Sequence, residues 1–199
     1  MQNKWDPILA AAKRLFIDQG YGATSMDEIA AQSGATKRTV YNNFGSKERL
    51  LEAVVDHSIE LFAEKAPTLA PDAGRDAFTA CAAQIIEMMT WRDAVGLQRL
   101  IVSERASFPA IAERLIDETG AALLTPVRTY LKGCGITTAK ADALAMAFVE
   151  RAAAAARLDR LIGIRPPYPE LPGGNRLDAK DRAAATAAAE ILTAATNGR

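Results

Sequence analysis

Lys37, Arg38, Lys47 and Arg49 fall within one short window of the chain, opposed there only by Glu48. Over the whole sequence Lys+Arg and Asp+Glu are both 24. Cations bunched in a chain without net charge point to an anionic partner met at one face rather than through a bulk field. Placed on a helix starting near Lys37, Val40 and Phe44 share one direction and must look inward. Arg38 and Asn42 then point away, with Thr39 and Tyr41 on the flanks. Lys37 and Thr36 stand on the first turn, where free backbone N–H groups and the positive helix end favour an anion. These residue types suit a DNA major groove. Arg and Lys bond guanine O6/N7, Asn pairs with adenine N6/N7, and Thr offers a methyl or a hydroxyl. The Tyr41 hydroxyl and Lys47 suit phosphates, which set register without specifying sequence. A merely solvated charged face is the alternative; short helices, a turn glycine and hydroxyls at the helix starts favour the groove reading.

The elements that must position these groups read as nearly all helix, because apolar residues recur at three and four. Asp6-Pro7 is a start signal, and Ile8, Leu9, Ala12, Leu15 and Phe16 make one stripe that Gly20 and Gly22 end. Ser25-Met-Asp-Glu28 has the form of a capping box and opens a short helix that Gly34 closes. Thr36 caps the next helix, to about Asn43, and a fourth runs from Lys47 to about Lys65. The spacing Ala30–Gly34–Val40 gives a small residue at a helix crossing, a glycine at the turn and an apolar anchor, which is helix-turn-helix logic. Beyond Ala66-Pro67 longer helices are expected at about 74–92, 94–107, 109–132, 138–163 and 178–196, with a kink at Pro126. The Pro- and Gly-rich stretch 164–177 reads as a loop.

Other chemistry finds little support. The single histidine, His57, lies at the edge of an apolar stripe without a nucleophile nearby. Phosphate-loop, HExxH and paired-carboxylate patterns are absent from the sequence. Cys81 and Cys134 are too far apart for a zinc spacing. No catalytic residue, metal or cofactor is expected. MQNKWDPILAAAKRLF is broken by charges, and no stretch approaches a spanning helix, so a cytoplasmic protein without membrane partners is expected.

The stretch ILAAAKRLFIDQGYGATSMDEIAAQSGATKRTVYNNFGSKERLLEAV resembles the DNA-binding domain of the TetR family of bacterial transcriptional regulators. The elements AAxxLFxxxGYxATSMxxIA and SGATKRTVYNNFGSKExLL follow in order over about the first 60 residues. The resemblance implies an all-α repressor, active as a homodimer on a palindromic operator and released by a small ligand. It also implies that Lys37, Arg38 and Thr39 face bases, while Tyr41, Lys47, Ser25 and Thr36 touch phosphate. Asn42 and Asn43 stand where many members carry histidine or tyrosine, so the operator sequence does not carry over.

On this reading residues 1–50 form the three-helix DNA-binding domain and 51–199 a larger helical domain for effector binding and dimerisation, with helix 47–65 shared as connector. The piece 96–115 is similar to a C-terminal domain of AcrR-like members. Met88, Trp91, Arg99, Phe108 and Arg128 are the candidates for an effector cavity, with an apolar or aromatic molecule preferred. Leu144, Phe148 and Ala152 on one helix, with Ala188 and Ile191 on the last, are the candidates for a dimer interface. Two alternatives stay open: an architectural DNA binder or partner-controlled regulator without a small ligand, and redox control through Cys134, which the sequence places in a loop.

Overall fold

The computed structural model describes residues 6–173 and 176–196. Among the described residues nine α-helices make up the regular structure: α1 Asp6–Gln19, α2 Met26–Ser33, α3 Lys37–Phe44, α4 Lys47–Glu64, α5 Arg75–Thr90, α6 Arg92–Glu104, α7 Pro109–Gly133, α8 Thr138–Leu161 and α9 Ala179–Thr196. Every helix expected from the periodicity is found, with ends within a few residues. The cap read at Asp6 lies outside the described side chains.

The short helices start and stop for the reasons their sequence suggests. Ser25 Oγ accepts the Glu28 N–H at 3.2 Å and opens α2; Gly34, with φ 71°, closes it in a left-handed conformation. The reciprocal arm of the capping box goes elsewhere, because the Glu28 carboxylate takes Gln19 Nε2 at 2.8 Å. Thr36 Oγ1 accepts the Thr39 N–H at 3.1 Å and opens α3. The helix α7 carries Pro126 in its interior and continues across it, with one backbone donor missing there.

The chain packs as two compact units. The first draws on residues up to Leu61 and on Gly96–Asp117; the second on Phe62–Val95 and Glu118–Arg199. In the first, Ile8, Leu15, Phe16, Ile29, Val40, Leu51 and Val54 share a core with Leu97, Leu100, Ile101, Ile111 and Leu115. The C-terminal part of α6 and the start of α7, on or beside which the effector candidates Arg99 and Phe108 fall, thus fill the core beneath the short helices. α6 reaches α1 closely: a Cβ on Gly96 would lie 2.5 Å from Ile17 Cγ2.

In the second unit α5, α8 and α9 pack on one another, around Phe78, Ile85, Met88, Leu123, Val127, Phe148, Ala188 and Leu192. The stretch 164–173 is more than a spacer. Tyr168 forms a parallel bridge with Trp91: its N–H donates to Thr90 O at 3.0 Å and its carbonyl accepts the Arg92 N–H at 2.8 Å. Below it lies a polar knot. Arg160 Nη2 donates to Asp181 Oδ2 at 2.8 Å, both side chains being 1% exposed. The Tyr168 hydroxyl donates to that same oxygen at 2.8 Å.

Candidate nucleic-acid interface

The face expected on α3 is present. Val40 is 0% exposed and pins the helix to the first core; Phe44 is half-buried against it. Lys37, Arg38, Tyr41 and Asn42 are exposed on the other side, and Thr39 is half-buried. Tyr41 is 49% exposed.

The hydroxyls serve twice. Ser25 Oγ receives a backbone N–H, which leaves its own proton to donate outward. Thr36 Oγ1 and Thr39 Oγ1 lie 2.8 Å apart, so one proton of that pair bonds within it and the other is available. Asn42 and Asn43 are both exposed, but Asn43 folds back, Nδ2 donating to Thr39 O at 2.5 Å.

The two lysines are placed less simply than the sequence suggests. Lys47 Nζ donates to Tyr21 O at 2.8 Å, to Thr24 O at 2.9 Å and to Gly22 O at 3.4 Å. It also sits 4.4 Å from the Tyr21 ring centroid. Its three donors therefore gather the carbonyls that follow α1 and staple the start of α4 to the α1–α2 turn. Lys37 Nζ lies 2.5 Å from Asp27 Oδ2 across the α2–α3 corner. Nothing in the spacing of Asp27 and Lys37, ten positions apart, marks them as partners; the corner makes them so. Tyr21 is itself held by Phe108, edge to face with centroids 4.8 Å apart, and burial with the nearby Glu48 and Glu104 pushes its hydroxyl pKa up.

The effector candidates divide between the two units. Arg99 and Phe108 belong to the first unit, and Phe108 packs on Tyr21. Met88, Trp91 and Arg128 belong to the second. There Met88 is a core residue, Trp91 joins the bridge to Tyr168, and Arg128 Nε meets Asp142 Oδ1 at 3.0 Å. A surface groove of about 260 Å³ in the second unit is lined instead by Met89, Val149, Ala153, Arg157, Leu158 and Leu161, among others. Of the interface candidates, Phe148, Ala152 and Ala188 are buried in the chain's own core, and Leu144 and Ile191 are half-buried. The exposed large hydrophobic residues of α8 are Met146 and Leu158, with Ile162 and Ile164 just beyond its end. Cys134 lies in the turn after α7 but is half-buried, packed against the second core. Among the described residues no cluster of His, Cys, Asp or Glu is arranged to hold a metal ion, and no helix is long and apolar enough to cross a membrane.

Two short capped helices at a glycine turn, the second presenting cations, an amide and hydroxyls, define a helix-turn-helix module. Residues 8–54 match the family profile of bacterial regulatory proteins of the tetR family. Residues 76–194 match the profile of the AefR-like transcriptional repressor C-terminal domain. The chain belongs to the TetR family. It is 42% identical over 53 residues to the HTH-type transcriptional activator FasR of Mycolicibacterium smegmatis, covering 27% of this chain and 24% of that protein. It is 42% identical over 60 residues to the HTH-type transcriptional repressor ComR of Escherichia coli, covering 30% of this chain and 29% of that one. The match thus spans about a quarter of the length of these curated relatives. Among solved structures it is similar to the flavonoid-responsive regulator FrrA, at 25% identity and TM-score 0.71, covering 96% of both chains. It also shares its fold with a TetR family transcriptional regulator from Pseudomonas syringae pv. tomato, at 23% identity and TM-score 0.64, covering 97% of this chain and 96% of that one.

Proposed function

We propose that this chain is a cytoplasmic, DNA-binding transcriptional regulator that acts as a homodimer on a palindromic operator, most simply as a repressor. The observation that carries the reading is the outward row Lys37, Arg38, Tyr41 and Asn42 on a helix anchored by fully buried Val40. In it Arg38, Lys37 and Thr39 meet base edges, Asn42 reads adenine, and Tyr41, Ser25 and Thr36 fix the phosphates. Lys47 supports the interface from within through the α1–α2 turn, and reaches a phosphate only by leaving its carbonyls. Residues 1–50 read DNA, 51–199 carry effector binding and dimerisation, and helix 47–65 connects the two. Two copies present recognition helices about 34–36 Å apart, one DNA turn.

Release by a small apolar or aromatic effector follows the same family logic and is supported by the likeness to a flavonoid-responsive regulator. The effector shifts a population only by binding the non-operator conformation, with α4 tilted, more tightly. A regulator controlled without a small ligand is the second reading, favoured by Met88, an effector candidate that lies in the second core with no free surface. Repressor sense is supported by the C-terminal domain match.

The test is binding to the gene's own upstream intergenic DNA across a salt series, with wild type beside Arg38→Ala and Tyr41→Phe. Tight binding at one site with a steep salt slope, weakened by both variants, is expected. Loss of about tenfold or more is expected for Arg38→Ala, from one bidentate base contact worth about 1–3 kcal/mol. Equal binding by all three proteins overturns the interface.

A further inference from the structure

The cations of the recognition region are not equivalent. Lys37 opens α3 beside its cap Thr36, where its charge and the free N–H groups of the helix end together suit a phosphate. Yet Lys37 is already neutralised. Its Nζ lies 2.5 Å from Asp27 Oδ2, in the first turn of α2, with the two side chains 66% and 53% exposed. The pair is at the surface, so it is weak and exchangeable, and any DNA phosphate arriving at Lys37 competes with Asp27 for it.

We propose that Asp27 is a specificity-determining residue of the DNA interface: by holding Lys37, it withdraws that cation from sequence-independent attraction to phosphate while leaving it able to read a base. An ammonium has three hydrogens. With one on Asp27, two remain for neutral acceptors such as guanine O6 and N7. What the pair removes is net charge, and net charge drives counterion release and non-specific affinity. Exchanging a carboxylate for a phosphate is nearly neutral, so Lys37 adds little grip on arbitrary DNA. The neighbouring acid differs, because the Glu28 carboxylate is engaged with Gln19 at 2.8 Å. This inference rests on the proposed interface and concerns how it discriminates.

The experiment compares wild type with Asp27→Asn, Lys37→Ala, the double variant and Glu28→Gln, on a random-sequence duplex and on the upstream intergenic DNA, across a salt series. Freed from its partner, Lys37 should raise affinity of Asp27→Asn for the random duplex about two- to fivefold. The slope of log affinity on log salt should steepen by about 0.9. Affinity for the intergenic site should rise less, so the ratio of specific to non-specific binding falls. In the Lys37→Ala background the Asp27→Asn effect should vanish. A gain that persists in that background, or one equalled by Glu28→Gln, reflects removal of any negative charge and overturns the proposal. So does an unchanged salt slope while Arg38→Ala still weakens binding. If Arg38→Ala leaves binding intact, the interface itself falls, and this inference with it.

Discussion

Gly96 shows how little space separates α1 from α6. A methyl group there would meet Ile17 Cγ2 at 2.5 Å and Cδ1 at 3.2 Å, too near for either helix to stay where it is unless Ile17 turns away. Gly96→Ala is expected to cost about 1–3 kcal/mol, the usual range for overpacking. Denaturant melts should show Ile17→Ala, which removes both γ carbons and Cδ1, recovering part of that loss in the same chain, a non-additivity that marks direct contact. At this scale the outward row on α3 was legible, since the position of Val40 fixes where Arg38 and Asn42 point. Where the long cations end was not. Lys47 gathers carbonyls of Tyr21, Gly22 and Thr24, and Lys37 finds Asp27; both partnerships arise only when separate helices are brought to one corner.

Helix boundaries were the best-read elements because their signals are local. Ser25, Gly34 and Thr36 each do what their residue type does at a helix end. Thr36→Ala is expected to lower stability by about 1 kcal/mol and to weaken operator binding as well, since α3 loses the cap that orders its first turn. A calorimetric scan paired with a binding titration checks both. Thr36→Ser should keep the cap. The segment 96–115 shows where local signals stop. Its apolar spacing predicted helices, correctly, but the same spacing serves a cavity wall or a core, and here Leu97, Leu100, Ile101 and Ile111 fill a core. The loop 164–173 was read from its prolines, whereas its role is set by Tyr168 meeting Thr90 and Arg92, far away in sequence.

Over the whole molecule, stability should depend on pH from both sides through the second unit. Burial pushes the Cys81 thiol from 9.0 to about 12. The Tyr168 hydroxyl rises from 10.0 to about 12, chiefly by burial, with Asp181 adding to the effect. Folded-state values above the unfolded ones mean that the unfolded chain loses its protons first. Stability is therefore whole below pH 9 and falls as pH climbs towards 12. On the acid side, the hydrogen bond from Lys180, outweighing an opposing push from burial, holds the Asp159 carboxyl below 3.8. Asp178 is also lowered: burial raises it, but the Asp181 N–H and Arg165 outweigh that. Stability from these carboxylates is present above pH 3.8 and drains as pH falls through their lower folded values. Urea melts from pH 3 to 11 should show both limbs, and Tyr168→Phe should flatten the alkaline one. A pH-independent plateau across that range would refute the assignment.

The first unit is built from two stretches of chain separated by Phe62–Val95. During synthesis, the three short helices emerge from the ribosome well before Leu97, Leu100, Ile101, Ile111 and Leu115, which complete their core. Until translation has passed Asp117, the nascent chain carries an unfinished apolar face and must close a long loop to cover it. The part that meets DNA is thus among the earliest made and among the later to mature. A stalled or prematurely terminated product ending before α7 would be a target for chaperones rather than a competitor at the operator.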